Sequence, residues 1–270
     1  MTAGGGAPPG GVRLNKLLAE RVGLARRHCD EAILRGEVSI DGETVNTPGL
    51  VLDPDRHAIA FRGVPVPGAP AFHYLLLHKP LGVLVTWSDP QGRPTVRDYV
   101  PPGLPRMFAV GRLDSDTSGL LVLTNDGELT HRLSHPRYEV PKTYLLSLVG
   151  APNDAQLTAL RGGVDLGNGE TTRPAKEVVI LGQGPPEALV RLVIAEGKNR
   201  QVRRMCKAVD LRLTALIRVA FGPLALGGLP VGKTRPLSRD EIRSLRAATV
   251  DPAGPSRGTN PRKPGPATAR

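Results

Sequence analysis

The sequence predicts an α+β fold in two parts: a small α/β module over residues 12–62, then a mixed, largely antiparallel sheet with helices packed on it over residues 72–248. Three observations carry that expectation. Apolar residues recur at helical spacing, punctuated by glycine, over residues 14–36. Residues 38–45 alternate around an Asp-Gly turn. From Phe72 onward, short apolar runs are separated by turns and a few helical patterns, as in a sheet covered by helices.

The elements follow in order. Leu14, Leu17 and Leu18 stand at i, i+3 and i+4, and Val22 extends the stripe of a helix that ends at Gly23. A second helix over Ala25–Arg35 stops at Gly36, with Arg26 and Arg27 at its start and Ile33 and Leu34 as apolar contacts. Val38 and Ile40 lead to Asp41-Gly42 and Val45 resumes beyond it, which is the pattern of a β-hairpin. Residues 63–71, GVPVPGAPA, are rich in Gly and Pro without a period and are expected to be a linker. Residues 1–11 and the basic stretch 249–270 have almost no large apolar side chains and are expected to be disordered, the latter adding non-specific attraction for phosphate.

Composition narrows the function. The chain has 270 residues, 40% of them hydrophobic, enough for a packed core. No apolar run approaches the roughly 20 residues that cross a bilayer. Met1–Gly11 lacks the charged and apolar regions of a secretory signal, so a cytoplasmic, membrane-free monomer is expected. Cys29 and Cys206 are the only cysteines, which excludes a disulfide framework and a CxxC zinc pair and leaves them as packing residues. The formal net charge of +11 attracts polyanions, and nucleic acid is the economical partner, although basic charge alone also fits an acidic membrane surface. Aromatic residues make up 3%, too few for a broad base-stacking platform, so phosphate contacts and a few specific groups must suffice.

The stretch with chemical content is Phe108–Asp126, FAVGRLDSDTSGLLVLTND. Its apolar lead-in reaches Gly111, the polar residues Asp114, Ser115 and Asp116 follow, and Leu120–Leu123 resumes as a buried strand. A carboxylate in a glycine-flanked loop between buried strands can be held rigidly at a cleft, as a nucleophile requires. The residues alone also fit an aspartate that bonds its own turn.

Two families resemble these segments. LNKLLAERVGLARRHCDEAILRGEVSIDG resembles the S4 RNA-binding domain, which implies that Arg26, Arg27 and Arg35 face RNA; a solvated helix face is the alternative. GRLDSDTSGLL resembles the signature of pseudouridine synthases that act on ribosomal RNA. HKPLGVLVT (78–86), TNDGELTHRLSHP (124–136), PKTY (141–144) and EGKNRQVRRM (196–205) flank it in that family's order.

The second resemblance implies an isomerase that detaches uracil from C1′, rotates it and rejoins it through C5, without metal, nucleotide or other cofactor. By the same resemblance Asp114 is the nucleophile, Arg112 fills the gap left by the flipped nucleotide, and Tyr144 stacks on uracil. Arg203 pairs with the catalytic aspartate and holds it charged, and Leu216 packs near the uracil pocket. Lys142 contacts phosphate or structural carbonyls, Lys198, Arg200 and Arg204 hold phosphates, and Asp116 is a structural hydrogen-bonding residue. Ribosomal RNA is the implied partner, 23S preferred over 16S because the basic C-terminal extension resembles that of some large-subunit enzymes. The alternative is a non-catalytic S4-type RNA-binding or ribosome-assembly protein.

Two further signals are rejected on physical grounds. Gly227–Thr234, GGLPVGKT, spells a phosphate loop, but a working one needs its helix to begin at the Gly-Lys-Thr, and here Arg235-Pro236 follows with a capping box at Ser238 and Glu241. His131 and His135 have i, i+4 spacing without an acidic or cysteine partner, and zinc needs at least three protein ligands.

Overall fold

The computed structural model describes residues 11–68, 71–184 and 187–249. The first region runs β1 (Val12–Arg13), α1 (Leu14–Val22), α2 (Arg26–Leu34), β2 (Val38–Ile40), β3 (Glu43–Val45), β4 (Val51–Leu52), β5 (Ile59–Phe61) and β6 (Val64–Pro65). Gly23 ends α1 in the left-handed conformation, φ 79°, which glycine adopts without a Cβ penalty. Asp41 and Gly42 both have positive φ, 52° and 87°, the geometry of a two-residue turn whose twist matches the strands it joins. Leu14, Leu17, Leu18, Cys29, Ile33 and Val38 close a separate small core. Each buried aliphatic side chain there contributes about 1.5–3 kcal/mol of transfer free energy.

The linker expected at 63–71 begins later than its composition suggests. Val64–Pro65 pairs antiparallel with β5, and Val66 packs on the small core, so the module continues past Arg62. Arg62 and Gly63 both have positive φ and form the turn of this second hairpin. A two-residue strand leaves no period to read, and Pro65 sits in the edge strand of its sheet, where a missing N–H is tolerated. The expectations for 1–11 and 249–270 lie outside the described residues, apart from Gly11 and Thr249.

The larger region contains β7 (Tyr74–Lys79), β8 (Phe108–Ala109), β9 (Ser118–Thr124), α3 (Gly127–Ser134), β10 (Lys142–Val149) and α4 (Asp154–Gly162). It continues with β11 (Glu177–Gly184), β12 (Glu187–Ile194), α5 (Gln201–Ala208), β13 (Leu213–Phe221), β14 (Leu224–Ala225), β15 (Thr234–Pro236) and α6 (Arg239–Ala247). The main sheet is ordered β11-β12-β10-β13-β9-β7-β15. Every pairing in it is antiparallel except β9 with β13, where two antiparallel halves join in parallel. At this junction Arg218 lies opposite Gly119, and a Cβ on Gly119 would sit 2.3 Å from the Arg218 carbonyl oxygen. Only glycine permits the two backbones to approach so closely.

One half packs Leu146, Leu148, Val190 and Leu192 against Leu157 and Leu160 of α4 and Met205 and Cys206 of α5. In the other half, Leu120 and Val122 of β9 face α3 and α6, while Leu121 and Leu123 pack on the opposite side with Leu75, Leu77, Val83 and Met107. Burial on both faces explains the unbroken apolar run in β9, which carries no alternation. Burial also pushes the Cys206 thiol up to about 12, in keeping with a packing role. Thr234 of the GKT segment opens β15, and the next helix starts only at Arg239 behind the Ser238/Glu241 capping box, so a strand rather than a helix follows that loop. Among the described residues no helix is long and apolar enough to cross a membrane.

Candidate active site

The Asp114 loop leaves β8 and enters β9 beside the parallel junction. Val110 N–H donates to Val122 O (2.8 Å), Gly111 turns the chain at φ 71°, and Thr117 N–H donates to Asp114 O (3.1 Å). Gly82 N–H, from the turn after β7, holds Ser115 O at 2.7 Å. The loop borders a cavity of about 420 Å³, a size that suits a small planar ligand. Side chains at alternate positions of a strand share a face. The face of β10 that buries Leu146 and Leu148 therefore brings Lys142 and Tyr144 to the cavity wall. On β13, Leu216 and Arg218 stand opposite Leu146 and Tyr144 and line the same cavity.

The structure thus gathers Arg112, Asp114, Lys142, Tyr144, Lys198, Arg200, Arg203 and Leu216 around one space. Arg204 is not among the lining residues.

The ion pairs differ from those expected. Arg203 meets Asp116 rather than Asp114: its Nε lies 3.2 Å from Asp116 Oδ2, close enough for an ion pair although not aligned as a hydrogen bond, and its Nη2 donates to the Asp116 carbonyl. Arg200 donates to both Asp116 carboxylate oxygens, at 2.7 and 3.2 Å, and approaches Asp114 Oδ2 only to 3.8 Å. Residues three apart lie on one side of a helix. Arg200 at the N-cap of α5 and Arg203 in its first turn therefore converge on the loop residue that reaches them, which is Asp116. The Arg200 hydrogen bonds, with help from Arg203, hold the Asp116 carboxyl below its ordinary range. Asp116 is the structural anchor, and the Asp114 carboxylate is left at the cavity without a hydrogen-bonded side-chain partner among the described residues.

The remaining expected phosphate contacts divide in a similar way. Lys198 Nζ donates to Thr171 O (2.8 Å) and lies 3.6 Å from Glu170, while Arg204 pairs with Glu170 at 2.6 Å. In the N-terminal module Arg35 pairs with Glu37 at 2.6 Å, and Glu37 also holds Arg62. Arg26 and Arg27 are exposed, with no side-chain partner among the described residues. His131 and His135 bring their rings to 5.4 Å, and no group of three metal-ligating side chains occurs among the described residues.

Three site groups were missed by sequence reasoning. Lys79 is fully buried and donates to Pro80 O and Val83 O, both at 2.8 Å; burial pushes it down to about 8 against the opposing pull of Asp114 and Asp116. Thr117 is buried at the cavity with its hydroxyl unpartnered. Arg218 is buried in an apolar strand, its Nε bonded to Leu120 O at 2.8 Å. A lone charge closing or interrupting an apolar run, as in YLLLHK and LTALIRVAF, was the available signal for the two cations, because charges are rarely buried without a reason.

A carboxylate held at a cavity with an aromatic ring and several cations, on a basic chain, suits an enzyme that acts on a polyanion. The chain belongs to the RNA pseudouridylate synthase family, whose pattern matches residues 73–208. It is 38% identical over 236 residues to the ribosomal large subunit pseudouridine synthase B of Bacillus subtilis, covering 87% of this chain and 96% of that one. It is 35% identical over 237 residues to the ribosomal small subunit pseudouridine synthase A of Salmonella typhimurium, covering 87% and 100%. A crystal structure of a pseudouridylate synthase superimposes with a TM-score of 0.63 at 33% identity, over 87% of this chain and 99% of that one. The protein is accordingly an RNA pseudouridine synthase, an isomerase of uridine.

Proposed function

We propose that the protein isomerises a specific uridine of ribosomal RNA, in the large subunit, with Asp114 as nucleophile. The observation that carries this reading is the division of labour in one loop: Asp116 takes the arginine hydrogen bonds, and Asp114 stands at the cavity with only the 3.8 Å approach of Arg200. Relatives named for the large and the small ribosomal subunit support ribosomal RNA as substrate. The somewhat higher identity to the large-subunit enzyme favours that subunit.

In the reaction the C1′–N1 bond breaks, the base turns within the cavity, and C5 bonds to C1′. The C5 proton is lost and N1 gains one, so the product is an isomer. The target nucleotide must leave its stack to enter the cavity, with Arg112 at the rim to occupy the vacated space and Tyr144 on the wall to stack on the base. Arg26 and Arg27 of the N-terminal, S4-like module contact phosphate and add affinity without reading sequence.

Replacing Asp114 by Asn keeps the side chain's shape and removes its charge and most of its nucleophilicity. Release of tritium from C5-labelled ribosomal RNA in a single turnover should fall below detection, with RNA retained on filters as by the wild type. Wild-type release by Asp114→Asn would sink the assignment.

A further inference from the structure

Arg218, buried, and Lys142, half-buried, are two cations in one corner of the cavity. The Arg218 guanidinium lies 5.2 Å from the centre of the Phe221 ring and the Lys142 ammonium 5.8 Å from it. Neither has a carboxylate partner among the described residues. Arg218 spends its Nε on Leu120 O, and its Nη2 is buried without any hydrogen-bond partner. Lys142 makes no side-chain hydrogen bond among the described residues; burial and the neighbouring Arg218 push it down to about 8 against the opposing pull of Glu196, which also lines the cavity. In and around the site other cations meet oxygens, the exposed Arg112 apart: Arg200 and Arg203 have Asp116, Lys198 and Arg204 have Glu170, and Lys79 has two carbonyls. Two like charges side by side, one of them buried and with only Glu196 pulling against them, are costly, and the unpaired buried donor of Arg218 adds to that cost. Such a pair is relieved by an anion that arrives with, or is formed from, the substrate.

We propose that Arg218 and Lys142 form an anion pocket for the detached uracil base. The inference rests on the base-detaching reaction proposed above. When the C1′–N1 bond breaks, the electron pair stays with the base, giving an anion whose charge is spread over N1, O2 and O4. While the base is detached, C1′ is bonded to the Asp114 carboxylate, which leaves when the base's electron pair forms the C5–C1′ bond and its charge is used up; C5 then loses a proton to water and N1 takes one from water, so the product is an isomer. Tyr144, placed to stack on uracil, lies directly across the strand pair from Arg218, which puts the two cations beside the base rather than at the rim. Donors fixed in advance where charge develops lower the barrier without reorganising during the step. A phosphate of the bound RNA is the other anion that could take this place, and it differs in carrying its charge before the reaction starts.

The test uses full-length protein and C5-tritiated large-subunit ribosomal RNA in single-turnover release, with affinity measured separately across a salt series. Arg218→Gln should slow release about 100-fold, the loss seen when one preorganised donor is removed, and Lys142→Gln should slow it in the same direction. Both should keep the wild-type affinity and salt slope, and Arg218→Lys should recover part of the lost rate because it restores the charge. A loss of affinity with a flatter salt slope in step with the rate would assign the pocket to phosphate and overturn the proposal. So would wild-type release by Lys142→Gln, which decides alone if Arg218→Gln does not fold. Asp114→Asn is run in parallel: release by that variant defeats the underlying reading, whereas its silence together with fast Lys142→Gln defeats only the anion pocket.

Discussion

On α2, Arg26 and Arg27 stand exposed with no carboxylate beside them among the described residues, whereas at the start of α5 Arg200, Arg203 and Arg204 all meet one. Both segments read alike in the sequence, as basic residues at the head of a short helix. The difference is what lies across from them. The head of α5 faces the Asp114 loop and the Glu170 turn, so its cations are consumed in shaping the cavity. The head of α2 faces solvent, so its cations are available to an incoming polyanion. A basic cluster therefore reports charge, and its neighbours decide whether that charge builds a site or binds a partner.

The most damaging way to break this contrast is at α5. Arg203→Ala should slow single-turnover release by about 100-fold, the scale of a nucleophile displaced by roughly 1 Å. Discounted for the exposure of Asp116, removing the ion pair and the hydrogen bond costs roughly 1 kcal/mol, which lowers the melting temperature by about 2–4 °C. The slope of RNA affinity against salt should stay unchanged. A flatter slope with normal melting would show that Arg203 serves phosphate after all.

The reciprocal variant sharpens the contrast. Replacing Arg26 and Arg27 together by Ala should flatten the log-log salt slope by about 0.7 for each phosphate no longer neutralised, leaving the melting temperature and the rate at saturating RNA intact. Arg35→Ala should leave the slope near the wild-type value, because Arg35 is committed to Glu37. Equal slopes for all these proteins would remove the module from the RNA interface.

A further test is one of pH, and it belongs to the larger region. Lys79 and Lys142 titrate at about 8 in the folded protein, against an ordinary value of 10.5. Between those values the unfolded chain binds more protons than the folded one, so stability to urea should rise as pH increases from about 8 toward 10.5. Lys142→Met should remove part of that rise, and an unchanged pH dependence would contradict the burial argument.

Much of the fold was legible. Glycines 23 and 36, the Asp41-Gly42 turn and the apolar run of β9 are local signals, and the elements fall where those signals place them. Asp114, Tyr144 and Leu216 were named only through the family resemblance, and all three line the cavity. The module's last hairpin at Val64–Pro65 was hidden inside a Gly- and Pro-rich run, because a two-residue strand has no period.

By itself the sequence determined the first module's two helices and Asp41-Gly42 turn, the apolar strand β9, and which loop carries the aspartates, since spacing and turn residues act within a few positions along the chain. Tertiary structure alone decided that Arg203 belongs to Asp116, a partner 87 residues away, and that Arg218 and Lys142 share one aromatic ring. Those pairings depend on the order of strands in the sheet. The parallel junction of β9 and β13 brings Gly119 against the backbone of Arg218, and through it sets the nucleophile's loop beside the wall of the cavity. No local periodicity records such a meeting, because it is fixed by packing between elements far apart in the chain.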